Sequence, residues 1–396
     1  MDRAKRSTFV WGAIIALASI SIACTLSAGQ LNPPAGNSQD QSPMDEDSGV
    51  QSDLLLPHSL YFLSAMGLDT YQIWRLERDG VTLSQITFEV EGVDDFAVSP
   101  ASGNAAYTTA NQLVLTAADG SSRKVLLDGG PVDEASENYH YRGKINGLAW
   151  SPDGSLLAYG RDGLNFYSPD DDTHYKITAN QIEASSDGAL VPRELYFPGV
   201  FSPSGTHLLV NVNYLEGGSL AVLEISTGKM IPLGKGIVCC YPAWTQDSNA
   251  ILVGSASIGM VDPGLWIYNA ASGRKKEILP SISPEGTYNF VSYPYQLPSG
   301  DLVYLYGSSA IYPDQPVPLS LVRSAGDGIS GRTQLRPESL DIYELIWGPS
   351  GKLMAAVQAP LGEPGWPLSG PVILIDIEGN PIRPLATSGY HILWGP

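Results

Sequence analysis

The sequence predicts an all-β protein, a seven-bladed β-propeller in which the two ends of the chain share one blade. Three observations predict it: a repeat with near-constant spacing, the absence of a long apolar period of 3.6 residues, and a final strand without partners of its own. The chain has 396 residues, including 42 Gly and 30 Pro. This composition suits many short strands joined by tight turns.

The repeat is clearest in LAWSPDGSLLAYGRDGLNFYS, residues Leu148–Ser168. An apolar strand leads into an S-P-D/S-G turn, where proline presets φ and glycine takes the left-handed conformation; three further strands follow. Aligned on the proline of this turn, the copies lie 43 to 52 residues apart, with anchors at Pro100, Pro152, Pro203, Gln246, Pro298, Pro349 and Pro396. Four antiparallel strands per repeat are typical of a propeller.

The chain ends in HILWGP, His391–Pro396, which is the first strand of a unit that lacks the other three. Three strand-like stretches without an anchor, Ser59–Ala65, Thr70–Glu77 and Val81–Thr87, fit the missing strands. We therefore expect the two ends to complete one blade, which leaves no open sheet edge. A six-bladed ring is the alternative, and it requires the weak unit Tyr293–Pro337 to be something else.

The WSPDG unit followed by an apolar strand resembles the repeat of TolB-type propellers, which also occurs in the propeller of prolyl oligopeptidases. The resemblance covers about residues 58–396. It implies the fold and an extracytoplasmic place. It implies little about activity, because the SPDG turn belongs to the scaffold.

The N-terminus predicts export from the cytoplasm. The basic MDRAKR precedes a 16-residue apolar stretch, Thr8–Ala23, which is short for a membrane span and typical of a secretory signal. Cys24 follows it and resembles the lipidated cysteine of a bacterial lipoprotein box, although Ser21 stands where the family prefers leucine. Lipidation of Cys24 is preferred over simple cleavage or an uncleaved anchor, and all three place the protein outside the cytoplasm.

The sequence divides into three parts: residues 1–24 as signal peptide with a lipoprotein box, 25–57 as a disordered polar tether, and 58–396 as the propeller. The tether is rich in Pro, Ser and Asp and has no apolar period. The formal net charge of −19 lacks the basic footprint that nucleic-acid binding requires. We expect a soluble, monomeric propeller held at a membrane by its N-terminus.

Catalytic motifs are sparse. No G-x-S-x-G is present, no segment of peptidase-domain size remains, and the five histidines show no metal-ligand spacing. No cofactor and no metal ion are predicted. Asp170–Asp172 form a turn whose carboxylates suit either a calcium ion or solvent, and solvent is preferred. Adjacent Cys239 and Cys240 form either a strained vicinal disulfide or two packed thiols, and thiols are preferred.

The long loops predict the binding face. The connections between second and third strands, and between blades, are the long ones, such as Asp128–Lys144, Ala179–Phe197 and Ala359–Pro371. Loops on a rigid scaffold commonly carry function. Their candidate ligand-binding residues are Tyr139, His140, Tyr141, Arg193, Tyr196, Tyr312 and Trp366.

The sequence thus favours a non-enzymatic binding or scaffold module of the cell envelope, with a protein, peptide or glycan as partner. The alternative is a propeller enzyme that acts on an envelope polysaccharide or peptide through carboxylates dispersed over the same loops.

Overall fold

The computed structural model describes residues 54–131, 143–184, 186, 190–214, 217–234, 242–256, 262–311, 317–358 and 369–396. All of them belong to one compact unit, Ser52–Pro396. The described residues form strands and turns without a helix, as predicted. No helix long and apolar enough to cross a membrane occurs among them.

The strands are short and follow one another closely along the chain. The first fourteen are β1 (Leu60–Ser64), β2 (Gln72–Leu76), β3 (Leu83–Gln85), β4 (Asp95–Val98), β5 (Ala105–Thr109), β6 (Gln112–Thr116), β7 (Arg123–Asp128), β8 (Asn146–Trp150), β9 (Leu157–Gly160), β10 (Gly163–Ser168), β11 (Thr173–Ala179), β12 (Gln181–Ala184), β13 (Leu190–Phe201) and β14 (His207–Tyr214). The others are β15 (Gly217–Glu224), β16 (Lys229–Pro232), β17 (Ala243–Trp244), β18 (Ala250–Ser255), β19 (Gly264–Asn269), β20 (Lys275–Leu279), β21 (Tyr288–Gln296), β22 (Leu302–Ser309), β23 (Ser320–Ser324), β24 (Thr333–Ser339), β25 (Ile342–Trp347), β26 (Leu353–Gln358), β27 (Gly370–Asp376) and β28 (Arg383–Trp394).

These strands make antiparallel sheets in simple chain order. Four sheets have four strands each: β4 to β7, β8 to β11, β17 to β20 and β21 to β24. A fifth sheet runs from β13 to β16 and gains β12 as an extra strand beside β13. The sixth has seven strands in the order β25-β26-β27-β28-β1-β2-β3.

Strand β28 connects the two ends of the described chain. Its first part pairs with β27, with Arg383 opposite Leu374. Its last part pairs with β1, with Trp394 opposite Leu60. The seven-stranded sheet is therefore two sets of four strands that share β28. In the second set, β28 is the first strand and β1, β2 and β3 are the second, third and fourth.

Each set of four strands has connections at two opposite ends, because consecutive strands are antiparallel. We define the turn face by the connections between first and second strands and between third and fourth strands. We define the long-loop face by the connections between second and third strands and between successive sheets. The S-P-D/S-G turns lie on the turn face.

The core consists of seven apolar clusters within the described residues, and each cluster joins two sets that follow one another along the chain or share β28. Strand β14 shows why second strands are continuously apolar. Leu208 and Val210 pack toward the sheet of β8 to β11, whereas Leu209 packs toward the sheet of β17 to β20. Alternate side chains point to opposite sides, so a strand between two neighbours is buried on both.

First strands carry an irregularity near their long-loop end. Gly147, Tyr293 and His391 each stand five residues before the anchor of their repeat, and each has a positive φ, of 60°, 50° and 50°. The strand register shifts beside each of them, which is the mark of a β-bulge. A bulge bends the first strand at the same level in these three sets.

Two boundaries differ from the prediction. The stretch Ala179–Phe197 was predicted as a loop. It instead contains β12 and the first half of β13, because the segment around Gln181 pairs with the segment around Glu194 and adds a fifth strand to this sheet. The folded unit also begins before residue 58. Leu56 is buried, and its amide N–H donates to the carbonyl of Arg78 over 2.9 Å.

Candidate binding face

Exposed large apolar side chains concentrate on the long-loop face. Twelve large apolar residues are exposed among the described residues. Six lie on or beside long-loop connections: Leu68, Phe88, Val90, Tyr214, Ile282 and Ile311. Three lie on or beside the turn face: Val81 and Ile329 on its connections, and Leu54 in the segment that leads into β1. Because single exposed apolar residues are ordinary, the informative feature is their concentration on one face.

The connection from β3 to β4 holds the two most exposed of these six. Phe88 is 76% exposed and Val90 is 87% exposed, and the residue between them, Glu89, points inward. The Glu89 carboxylate accepts hydrogen bonds from the Tyr107 hydroxyl at 2.6 Å and from Arg123 Nε at 2.7 Å. The alternation therefore places two apolar side chains in solvent and one carboxylate against the sheet.

Buried Gln72 fixes the backbone of this connection. Its side-chain amide donates from Nε2 to the Glu89 carbonyl at 2.7 Å, and its Oε1 accepts the Glu89 amide N–H at 3.0 Å. The Thr87 hydroxyl also donates to Gln72 Oε1, at 2.9 Å. Gly92 closes the turn with φ +78°, and a Cβ there would stand 2.9 Å from the Cβ of Thr70. The connection is packed directly on the loop between β1 and β2.

The ionisation of the Glu89 pocket follows from these contacts. Partial burial alone raises the pKa of Glu89, but the hydrogen bonds from Arg123 and Tyr107 outweigh it and lower that pKa below its usual value. Burial and the neighbouring Glu89 raise the pKa of the Tyr107 hydroxyl. Glu89 is therefore ionised at neutral pH and holds the connection by charge-assisted hydrogen bonds.

Two of the residues predicted for ligand binding lie in the β12–β13 hairpin. Arg193 Nε donates to Glu183 Oε2 at 2.7 Å, and both side chains are more than half exposed. Such an exposed pair contributes little to stability, so Arg193 remains accessible to a partner. Tyr196 differs: it is 7% exposed and packs in the core cluster between two sheets.

Tyr196 is held at both ends. Its amide N–H donates to Asn180 Oδ1 at 2.9 Å, and its hydroxyl donates to the Glu194 carboxylate. Burial and the Glu194 hydrogen bond raise its pKa to about 12. The expected exposed aromatic side chain is not found at this position, because the chain pairs as a strand there and turns the ring inward. Tyr139, His140, Tyr141, Tyr312, Trp366, Cys24, Cys239 and Cys240 lie outside the described residues.

The first strands bring together three ionisable groups that the sequence analysis did not single out. The amide N–H groups of His391 and Ile392 in β28 donate to the Glu344 carboxylate of β25, at 2.7 and 2.9 Å. His391 Nδ1 lies 3.3 Å from Asp95 Oδ1 of β4, and its ring packs on Phe96 with centroids 4.9 Å apart. These three groups form the Glu344–His391–Asp95 cluster.

The cluster connects first strands at their bulges. Glu344 accepts the N–H of the left-handed His391, and Asp95 accepts the N–H of the left-handed Gly147. Burial raises the pKa of both carboxyl groups, although His391 opposes the rise at each. Because these oxygens already accept backbone hydrogen bonds, the arrangement is that of a structural link between strands.

A sequence signal for this cluster exists. Asp95, Glu344 and His391 each stand five residues before an anchor, at Pro100, Pro349 and Pro396. Aligning the repeats at the position five residues before each anchor places these three side chains at the same level of neighbouring first strands. Motifs are recognised by short spacing along the chain, whereas these three residues are close because they occupy the same position in repeats whose first strands are neighbours.

In the acidic turn Asp170–Asp172, the Asp172 carboxylate contacts a lysine and a tyrosine. Asp172 Oδ1 accepts hydrogen bonds from Lys124 Nζ at 2.7 Å and from the Tyr167 hydroxyl at 2.8 Å. These bonds lower the pKa of Asp172. Across the part of the chain that the structure describes, no group of three or more His, Cys, Asp or Glu side chains is placed to hold a metal ion.

No protein-family model and no curated protein matches the sequence. Solved structures do resemble the chain. An oligogalacturonate lyase from Vibrio parahaemolyticus has 11% identity and a TM-score of 0.50, over 83% of this chain and 84% of that one. At this identity the likeness concerns the fold alone, and it agrees with a propeller-like, all-β arrangement.

Two further solved structures have TM-scores below 0.5 and add nothing to that statement. TolB from Acinetobacter baumannii has 13% identity and a TM-score of 0.43, over 82% of this chain and 79% of that one. The β-propeller domain of Cps50 (Swd1) from Myceliophteria thermophila has 12% identity and a TM-score of 0.45, over 78% of this chain and 89% of that one.

Proposed function

We propose that this protein is an extracytoplasmic binding module of the cell envelope, held at a membrane through its N-terminus, which recognises a protein, peptide or glycan on its long-loop face. The observation that carries the proposal is the concentration of exposed large apolar side chains there, six on or beside its connections against three for the turn face among the described residues. Rigid scaffolds commonly bind partners through such connections.

A closed seven-bladed ring is the scaffold that we propose for this face. Seven four-stranded sets are counted when β28 is shared, and seven apolar clusters join them in a circuit within the described residues. The last cluster joins β26 and β27 to β1 and β28. A ring without open edges supports a stable display of loops.

The binding role is favoured over catalysis by the way the central carboxylates are used. Glu344 and Asp95 accept backbone hydrogen bonds from neighbouring strands, a task that holds the scaffold.

Export and lipidation are proposed on the N-terminal sequence. The apolar stretch Thr8–Ala23 precedes Cys24, and a lipid on that cysteine would anchor the chain. Metabolic labelling with a palmitate analogue tests this. Label is expected on the wild-type chain and absent from Cys24→Ser, and equal labelling of both would exclude the lipid at Cys24.

Affinity capture from an envelope extract tests the binding face with three baits. The first is the wild-type chain. The second replaces Leu68, Phe88, Val90, Ile282 and Ile311 by serine. The third is the matched control and replaces the exposed turn-face residues Val81 and Ile329 by serine. A species retained by the first and third baits but lost from the second is expected. Equal retention by all three would contradict the proposed face.

A further inference from the structure

Phe88 and Val90 are presented by a connection that is already ordered. Residues on both sides of them are fixed: Ile86 and Val93 donate their amide N–H groups to the carbonyls of Ile73 and Tyr71, at 2.8 and 2.9 Å. Glu89 between them is held by Gln72, Tyr107 and Arg123. A partner would therefore bury these two side chains without first ordering the loop that carries them, which removes one cost of binding.

A third apolar side chain belongs to the same surface. Leu68 is 43% exposed in the turn between β1 and β2, where its amide N–H donates to the Ala65 carbonyl at 2.8 Å. This turn and the connection of Phe88 pack together through Thr70, whose hydroxyl donates to the Glu89 carbonyl at 3.5 Å. We call the surface made by Leu68, Asp69, Phe88, Val90 and Glu91 the Phe88 patch.

The rim of the Phe88 patch is acidic. Asp69 and Glu91 are exposed beside the apolar side chains, and no ion pair within the described residues engages either of them. Arg123, the cation that contacts this connection, is paired with Glu89. No lysine or arginine occurs in residues 54–74 or 79–122, which include both connections. The rim thus complements a positively charged partner.

From this juxtaposition we propose that the Phe88 patch docks a polypeptide segment in which apolar side chains stand next to lysine or arginine. The apolar side chains cover Phe88 and Val90, and the basic residues face Asp69 and Glu91. The proposal rests on the proposed binding function and narrows it to one site and one class of partner.

Charge argues against two other occupants. The chain's own residues 25–53 carry five acidic residues and no lysine or arginine, so the rim repels them. A second copy of the chain brings a net charge of −19 to an acidic surface. A partner segment that has apolar side chains next to a basic residue matches both the exposed apolar side chains and the acidic rim of the patch.

The test selects peptides from a phage-displayed library of random dodecapeptides on the full-length protein, immobilised in a mild non-ionic detergent. We expect enrichment of sequences that combine Phe, Leu, Ile or Trp with Lys or Arg. Their binding should weaken as salt is raised from about 0.05 to 0.5 M, because the rim charges are exposed. Failure to enrich any peptide, or enrichment of peptides without basic residues, would overturn the proposal.

Variants then locate the site. The pair Phe88→Ser and Val90→Ser should weaken the selected peptides about tenfold or more, since two exposed apolar contacts are removed. Asp69→Asn with Glu91→Gln should weaken them less, by about threefold, and reduce the salt dependence. Val81→Ser with Ile329→Ser, the matched control on the turn face, should bind as the wild type does.

The outcomes separate this proposal from the proposed function. One contrary result is that peptides bind the Phe88→Ser with Val90→Ser variant as they bind the wild type but fail to bind Ile282→Ser with Ile311→Ser. This result would still support binding on the long-loop face, but it would exclude the Phe88 patch as the docking site. Lipid vesicles bound through Phe88 and Val90 in place of peptides would also refute it. So would a dimer, seen by sedimentation, that dissociates on Phe88→Ser.

Discussion

The first strands and the long-loop connections use their polar side chains in opposite ways. In the first strands, Glu344 and Asp95 leave solvent to accept backbone hydrogen bonds from neighbouring strands. In the connection from β3 to β4, Glu89 is held by contacts that include Gln72 of β2, and the apolar side chains of Phe88 and Val90 lie in solvent. Polar contacts thus fix both regions, but of the two only the connection leaves large apolar side chains in solvent.

The largest expected effect comes from removing the end of β28. Deletion of Ile392–Pro396 removes fully buried Ile392, two of the three residue pairs between β28 and β1, and one of the two N–H groups bound by Glu344. We expect the free energy of unfolding to fall by about 5 kcal/mol or more, since a large buried side chain and several hydrogen bonds are lost together. Chemical denaturation measures it, with Val90→Ala as the control.

An unchanged denaturation midpoint in the deleted chain would contradict the importance of this strand. It would mean that the first strand shared by the two ends contributes no more than an exposed connection does.

A smaller effect with a distinctive pH dependence is expected at Glu344. Burial raises its pKa in the folded state. The stability that this group contributes is therefore fully present below the unfolded pKa, about 4.3, and is lost as pH rises through the folded pKa. The difference in unfolding free energy between the wild type and Glu344→Gln should fall as pH rises from about 4 to 7.

Asp79→Asn supplies a control of opposite sign. Hydrogen bonds from Thr82 and Val81 lower the pKa of Asp79, so its contribution is present above the unfolded pKa and is lost as pH falls. The wild-type-minus-variant difference should rise with pH for Asp79 and fall with pH for Glu344. If this difference changed with pH in the same direction for both residues, burial would not be the cause that sets the pKa of Glu344.

The smallest expected effect on stability belongs to the candidate binding face. Phe88→Ser with Val90→Ser should change the free energy of unfolding by no more than about 0.5 kcal/mol, because both side chains are mostly in solvent. Thermal and chemical denaturation measure it. A loss as large as that for deleting the end of β28 would show that these side chains pack in the fold and are not reserved for a partner.

The repeat made the scaffold predictable. The S-P-D-G turn at Ser151–Gly154 is set by local chemistry: the Ser151 hydroxyl donates to Asp153 Oδ1 at 2.6 Å, and Gly154 has φ +72°. The turn at Thr245–Ser248 lacks the proline and the glycine, yet Thr245 donates to Asp247 in the same way, at 2.6 Å. Turn contacts lie within a few residues, so the sequence reveals them.

The candidate site was harder to predict, because its contacts are distant in sequence. Gln72 lies 17 residues from Glu89, and Arg123 lies 34 residues from it. No local pattern distinguishes Phe88 and Val90 from strand residues that are buried, such as Phe96. Tyr196 was predicted to be a binding residue because the repeat contains no signal for the extra pairing of β12 with β13. That pairing turns the Tyr196 ring into the core.

The pairing of β28 with β1 also determines the direction in which the protein can be displayed. Ser59, just before β1, exchanges backbone hydrogen bonds with Gly395 and Pro396 just after β28, so both ends of the described chain emerge side by side on the turn face. The turn face is therefore the side from which the described chain both begins and ends. The Phe88 patch lies on the opposite, long-loop face, so a group attached directly at Pro396 starts on the side of the propeller away from the patch.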